Sequence, residues 1–290
     1  MSFSTDFEQE LDAALTRLTQ KEPFSAPPNL VESIRYSLLS PGKRIRPRLL
    51  FSCAEMLGLP RQTVLPAAIA LEMIHCFTLI HDDLPCMDND DFRRGLPTNH
   101  RKFGEATALL AGDALLALAA EMILETPLPP QIILAGLKHL LDATGPRGVI
   151  GGQASEALLK TDSSLEDLSR MHALKTGALF LVALKIPKEF AKIEDSTAQG
   201  KSILKFGQEL GLAFQIADDL EDLQSQDTKP IEVTSILHYL TPREAQQRTY
   251  KNLAHATDLL EAEWGSQAQP LVQIAKEVLE KLTHALPEQP

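Results

Sequence analysis

Aromatic side chains are scarce in this chain: 11 Phe, 3 Tyr and 1 Trp make up 5% of 290 residues. Leu and Ala dominate instead, which favours helices over sheets. Basic charge is also short. Against 39 Asp and Glu there are only 28 Lys and Arg, a net charge of −11, so the chain lacks the field that draws nucleic acid. It has no polybasic membrane anchor either. Cysteines number three, Cys53, Cys76 and Cys86, an odd count with no metal-like spacing. They read as core or incidental thiols of a reducing compartment. Residues 1–15 are acidic and amphipathic, unlike a signal or transit peptide, and no apolar run is expected to span a bilayer. A soluble, cytoplasmic protein is the expectation. Linkers, low-complexity tracts and shifts of composition are missing too. With 44% hydrophobic residues the chain has ample material for a core, and one all-α domain over 1–290 is the simplest expectation.

Helical periodicity fills the space those absences leave. It predicts helices over 3–20, 29–40, 43–58, 62–84, 104–125, 131–143, 151–159, 164–184 (interrupted near Gly177), 196–224, 242–264 and 269–286. Residues 225–234 read as a loop. Proline and glycine fall between these segments and rarely inside them, and no alternating strand pattern stands out.

The most informative stretch is His81-Asp82-Asp83-Leu84-Pro85-Cys86-Met87-Asp88-Asn89-Asp90-Asp91-Phe92-Arg93-Arg94-Gly95. The apolar run 67–80 leads straight into its carboxylates, so burying that run carries the acids to a cavity wall. Unpaired like charges there are costly. A hard divalent cation relieves the cost, and Mg²⁺ takes one or two carboxylates plus phosphate oxygens. Arg93 and Arg94 are bidentate donors suited to phosphate. The pattern points to a diphosphate held through magnesium.

A second acidic set repeats it. Gln215, Asp218, Asp219 and Asp222 are spaced i, i+3, i+4 and i+7, on one face of an otherwise apolar helix. Water-exposed helix decoration explains one such cluster readily, but two beside apolar helices point to function. Lys43 and Arg46 lie in Gly42-Lys43-Arg44-Ile45-Arg46-Pro47, which opens a helix where backbone N–H groups favour anions. His75 shares the acidic face seven residues before Asp82. Lys175-Thr176-Gly177 supplies a third phosphate contact. Taken singly, these are an exposed helix start, a core histidine and a surface lysine; beside two acid clusters they read as an anion pocket.

In order along the chain, these motifs resemble the short-chain trans-isoprenyl diphosphate synthases, the farnesyl and geranylgeranyl diphosphate synthase group. The likeness runs through 30–223 and includes Phe103-Gly104-Glu105, Gly112-Asp113 and Gly151-Gly152-Gln153. It implies an all-helical fold around a deep central cavity, a homodimer, and about three Mg²⁺ per site. By that resemblance Asp82, Asp88 and Asp218 ligate metal directly, while Asp83, Asp219 and Asp222 ligate it or orient its water. Arg93, Lys175, Thr176 and Gln215 face the allylic diphosphate, and Lys43, Arg46, His75 and Arg94 hold isopentenyl diphosphate. The reaction implied is ionisation of the allylic substrate, attack by the isopentenyl double bond and loss of a proton. Bulk just before the first motif sets chain length in this group. Phe77 with the small Thr78 beside it, and the longer form of the motif, resemble bacterial farnesyl synthases. The surrounding sequence is similar to geranylgeranyl synthases, so C15 is expected with C20 as the rival.

The chain departs from the pattern in four places. Glu221 stands where an apolar residue is usual, and Glu156 where an Asp is. The loop after Asp222 is short and lacks the usual Gly-Lys and Lys-Thr-Tyr-Pro-like signatures, leaving only Lys229. The tail Pro287-Glu288-Gln289-Pro290 has no basic residue. Two rival readings remain: a non-catalytic partner subunit of another synthase, and a metal phosphohydrolase using His75, His81 and Asp82. The second leaves Arg93, Arg94 and the second cluster unexplained.

Overall fold

A computed structural model describes residues 3–20, 26–225 and 231–285, with the side chains of 3–8, 18–20, 222, 224 and 225 outside that description. Lys229, Pro287, Glu288, Gln289, Pro290 and the side chain of Asp222 therefore lie outside the described residues. The elements are α1 Phe3–Gln20, α2 Pro28–Leu38, α3 Ile45–Met56, α4 Arg61–Asp82, α5 Asn99–Phe103, α6 Glu105–Leu124 and α7 Pro130–Thr144. They continue with α8 Val149–Glu156, α9 Leu165–His172, α10 Ala178–Phe190, α11 Ala198–Ser225, α12 Pro242–Trp264 and α13 Gln269–His284. The all-α expectation holds. The chain groups into two compact units, Met1–Phe51 with Pro60–Leu137, and Ser52–Leu59 with Lys138–Pro290.

In the first unit α4 packs against α6, α2 and α1. Its inward side chains Val64, Leu71, Met73 and Ile74 are wholly buried, and each contributes roughly 1.5–3 kcal/mol by leaving water. Two short strands, Phe92–Arg93 and Leu96–Pro97, pair antiparallel, contrary to the expectation of no strand. The turn between them has Arg94 at φ 54° and Gly95 at φ 77°, the two left-handed residues of a type I′ hairpin. In the second unit α11 runs 28 residues and packs against α10, α12 and α13. Thr241 and Glu244 close a capping box that starts α12 at the predicted residue. The interruption expected near Gly177 is a π-helical turn, Ala173–Gly177, between α9 and α10.

Two helices among the described residues, α4 and α6, do reach membrane-spanning length, each with mean hydropathy 1.8, which corrects the expectation of no such run. In α4 that apolarity is core, with 72% of its apolar window buried. The corresponding share in α6 is 33%, and Leu109, Leu110 and Leu124 stay exposed along it.

Candidate active site

Asp82 is the last residue of α4 and Asp83 its C-cap, so both carboxylates sit at the negative end of the helix dipole. The chain then folds back: Asp88 N–H donates to Asp82 O at 2.9 Å, and Met87 and Asn89 N–H donate to Leu84 O. This loop returns Asp88 to the helix end that carries Asp82. Asp83 is buried and accepts from Arg93 Nε at 2.6 Å, while Arg93 Nη2 reaches Asp90 at 3.0 Å. Burial raises the Asp83 carboxyl above the usual range, and the bond from Arg93 only partly offsets it.

The basic residues of this unit divide. Arg44, at φ 45° and 7% exposed, turns inward to Glu72 at 2.5 Å and also donates to the carbonyls of Leu38 and Ser40. It is an internal brace. Arg46 Nη1 donates to His75 Nε2 at 3.2 Å, which places the imidazole proton on Nδ1. Burial, then Arg46, Arg94, Arg44 and Arg93, hold His75 well below the ordinary histidine value, so it is neutral. Arg94 lies against Gly42, where any Cβ would fall 2.5 Å from Nη1. Thus Arg46, His75, Arg94 and the Gly42-Lys43 turn share one locality with two sources of phosphate donors.

Phe77 is 6% exposed and meets the His81 ring edge-on, with centroids 4.9 Å apart. His81 Nε2 donates to Leu109 O of α6 at 3.0 Å, which fixes the ring that backs Phe77. Thr78 Oγ1 is satisfied within α4 by His75 O at 2.8 Å.

In the second unit the π turn re-aims two predicted residues. Gly152 of α8 presses on it so closely that a Cβ would lie 2.3 Å from Lys175 N. Lys175 Nζ bonds Glu156 Oε2 of α8, and Thr176 Oγ1 donates to Gln215 Oε1 of α11 at 2.7 Å. Such π turns recur at functional sites because they displace side chains from the regular helical face. Gln215 Nε2 donates to Asp219 Oδ1 at 2.8 Å, and Asp219 Oδ2 receives Ser235 Oγ at 2.9 Å and Ile236 N–H at 2.8 Å. Asp219 is thereby held by Gln215, Ser235 and Ile236, with Thr176 holding Gln215 in turn. Asp218 instead meets Lys281 of α13 at 2.5 Å.

Among the described residues no three His, Cys, Asp or Glu converge tightly enough to hold a metal ion by themselves. The donor set still fits magnesium. Within the first unit Asp82 and Asp88, and within the second Asp218, are hard oxygen donors, and Mg²⁺ keeps waters and takes the rest of its shell from phosphate.

The polyprenyl synthetase family profile matches residues 27–232 of this chain. The chain belongs to that family. It is 41% identical over 232 residues to the farnesyl diphosphate synthase of Geobacillus stearothermophilus, covering 78% of this chain and 76% of the relative. It is 43% identical over 218 residues to the geranylgeranyl diphosphate synthase of Cyanophora paradoxa, covering 73% and 71%. The solved structure of geranyltransferase from Legionella pneumophila matches with a TM-score of 0.87 and 32% identity, over 96% of this chain and 95% of that one. This prenyl synthase is therefore a trans-prenyltransferase of the short-chain group with the isoprenoid synthase fold. The phosphohydrolase reading gives way to it.

Several residues of this prenyl synthase escape the sequence reading. His172, buried and lowered below the ordinary histidine value by that burial, bonds Thr234 O at 2.8 Å. Ser235 holds Asp219, and Lys281 holds Asp218. None belongs to a motif, and each lies 16 residues or more from its partner, so no local signal marks it.

Proposed function

We propose that this prenyltransferase condenses isopentenyl diphosphate with dimethylallyl or geranyl diphosphate and delivers mainly farnesyl diphosphate. The observation that carries the reading is the Asp88–Asp82 backbone hydrogen bond, which folds two carboxylates onto the C-terminal end of α4 beside the Arg93-Arg94 hairpin. Acid for a metal and arginine for phosphate then stand in one locality.

Arg93, Lys175, Thr176 and Gln215 hold the allylic diphosphate. For Arg93 and Lys175 this means exchanging a carboxylate, Asp83 or Glu156, for a phosphate oxygen of the same charge sign. Lys43, Arg46, His75 and Arg94 hold isopentenyl diphosphate, with Nδ1–H of the neutral His75 as the remaining donor. The allylic carbon–oxygen bond breaks with its electron pair leaving on diphosphate. The isopentenyl double bond attacks the cation, and a proton leaves to the released pyrophosphate. Asp82, Asp88 and Asp218 would ligate magnesium, with Asp83, Asp219 and Asp222 ligating or orienting its water; when bound, it stabilises charge on the departing diphosphate. Phe77, buried and braced edge-on by His81, supports a C15 floor.

The exposed leucines of α6 support a homodimer, which light scattering after gel filtration checks directly. The main test incubates the purified chain with isopentenyl diphosphate, Mg²⁺ and each of the C5, C10 and C15 allylic diphosphates. Farnesyl diphosphate as the end product from C5 and C10 is expected. Products running on to C20 would replace the farnesyl reading with the geranylgeranyl one, and failure with every pair would leave a non-catalytic partner subunit as the better account.

A further inference from the structure

Lys281 reaches from α13 to α11 and touches two acids there at once. Its ammonium lies 2.5 Å from Asp218 Oδ1 and 3.0 Å from Glu221 Oε2, with the Phe214 ring centre 5.2 Å away. Its side chain is 19% exposed, against 43% for Asp218 and 48% for Glu221. The lysine is thus more sequestered than either acid. Asp218 and Glu221 are three residues apart on α11, so they are neighbours on its surface. Asp219 takes no part, because both its oxygens are held by Gln215, Ser235 and Ile236.

An ammonium at 2.5 Å from Oδ1 fills the space a divalent ion needs at about 2.0–2.1 Å from the same oxygen. Glu221 is a second acceptor already in contact, so Lys281 can release Asp218 without losing its counter-charge. We propose that Lys281 is an internal counter-ion that competes with the divalent metal for Asp218, and that Glu221 retains the lysine when metal enters. The Lys281–Glu221 pair then sets the metal concentration at which the second acidic motif loads. This inference rests on the reading of Asp218 as a metal ligand.

Mn²⁺ binding to the full chain, read from the EPR signal of free Mn²⁺, tests both separately. Lys281→Met keeps the stem over Phe214 but removes the competitor, and should tighten Mn²⁺ binding about two- to fivefold, the upper range of a partly exposed ion pair. Lys281→Arg, which keeps the cation, should bind as wild type. Glu221→Gln confines the lysine to Asp218 and should weaken binding by a similar factor, an effect that shrinks in the Lys281→Met background. Asp218→Asn should lose the site outright. If Asp218→Asn loses the site while Lys281→Met binds Mn²⁺ no tighter than Lys281→Arg, the counter-ion role is overturned. If Asp218→Asn binds Mn²⁺ as wild type does, the metal reading of Asp218 fails, and the inference fails with it.

Discussion

Phe77 is rigid for two reasons, each visible at the level of single side chains. It is buried in α4, and its ring is backed by His81, itself tied to the Leu109 carbonyl. A floor for a growing chain needs such stiffness, since a mobile ring yields to each added isoprene unit. Phe77→Ala should cost about 3–5 kcal/mol of stability as a large-to-small core change, yet shift products from C15 toward C20 and beyond. Chromatography of the dephosphorylated products reads this independently of yield, and an unchanged distribution would reject the floor. A second residue-scale expectation concerns pH. His75 and His172 are both held below the ordinary value near 6.5 by burial. Below that pH the unfolded chain binds protons that the folded chain refuses, so stability is full above about 6.5 and lost as pH falls. Urea titrations between pH 7 and 5 should show stability declining toward the acid end, with a slope approaching about 1.4 kcal/mol per pH unit from His75 and a smaller share from His172. His75→Asn should remove one such contribution; an unaltered slope would show that His75 is protonated normally in the fold.

Elements show where the sequence was readable and where it was not. Long helices with sustained periodicity declare themselves: α1 and α12 begin and end where predicted, and α4 and α11 within two residues. Two-residue strands and the five-residue α5 have no periodicity to find, so the hairpin carrying Arg93 and Arg94 was invisible. Motif residues were legible as types, but their partners were not. Lys175 was marked by its neighbours in sequence, whereas its contact with Glu156 depends on α8 packing onto the π turn. That packing rests on Gly152. In Gly152→Ala the new Cβ would stand 2.3 Å from Lys175 N, a backbone atom that cannot swing aside, so one element must move. The expected loss is about 1–3 kcal/mol as an overpacked contact, accompanied by a rise in KM for the allylic substrate as Lys175 and Thr176 shift. Steady-state kinetics beside a denaturation curve separates the two effects. A variant that lost stability with KM unchanged would show that the turn does not position those side chains.

At the scale of the whole molecule, each compact unit carries one acidic motif, and the family match from 27 to 232 takes in both. A motif kept for stability and a motif kept for chemistry behave oppositely when an acid is removed. Asp82 closes α4 at the end where the helix field is negative, so its charge is locally unfavourable. Asp82→Ala should therefore leave the melting temperature unchanged or slightly raised. Asp218 is partly exposed at 43%, and its pairing with Lys281 is correspondingly modest, so Asp218→Asn should cost little fold stability either. Turnover should fall in both, by about a thousandfold if several kcal/mol of charge stabilisation are lost. Groups that act on one reaction as a unit are strongly non-additive, whereas independent contributions multiply. The Asp82→Ala, Asp218→Asn double variant should then be scarcely slower than either single variant, with circular dichroism confirming a helical fold in all three. A double variant slower by the product of the two single effects would mean that the motifs of the two units serve separate steps.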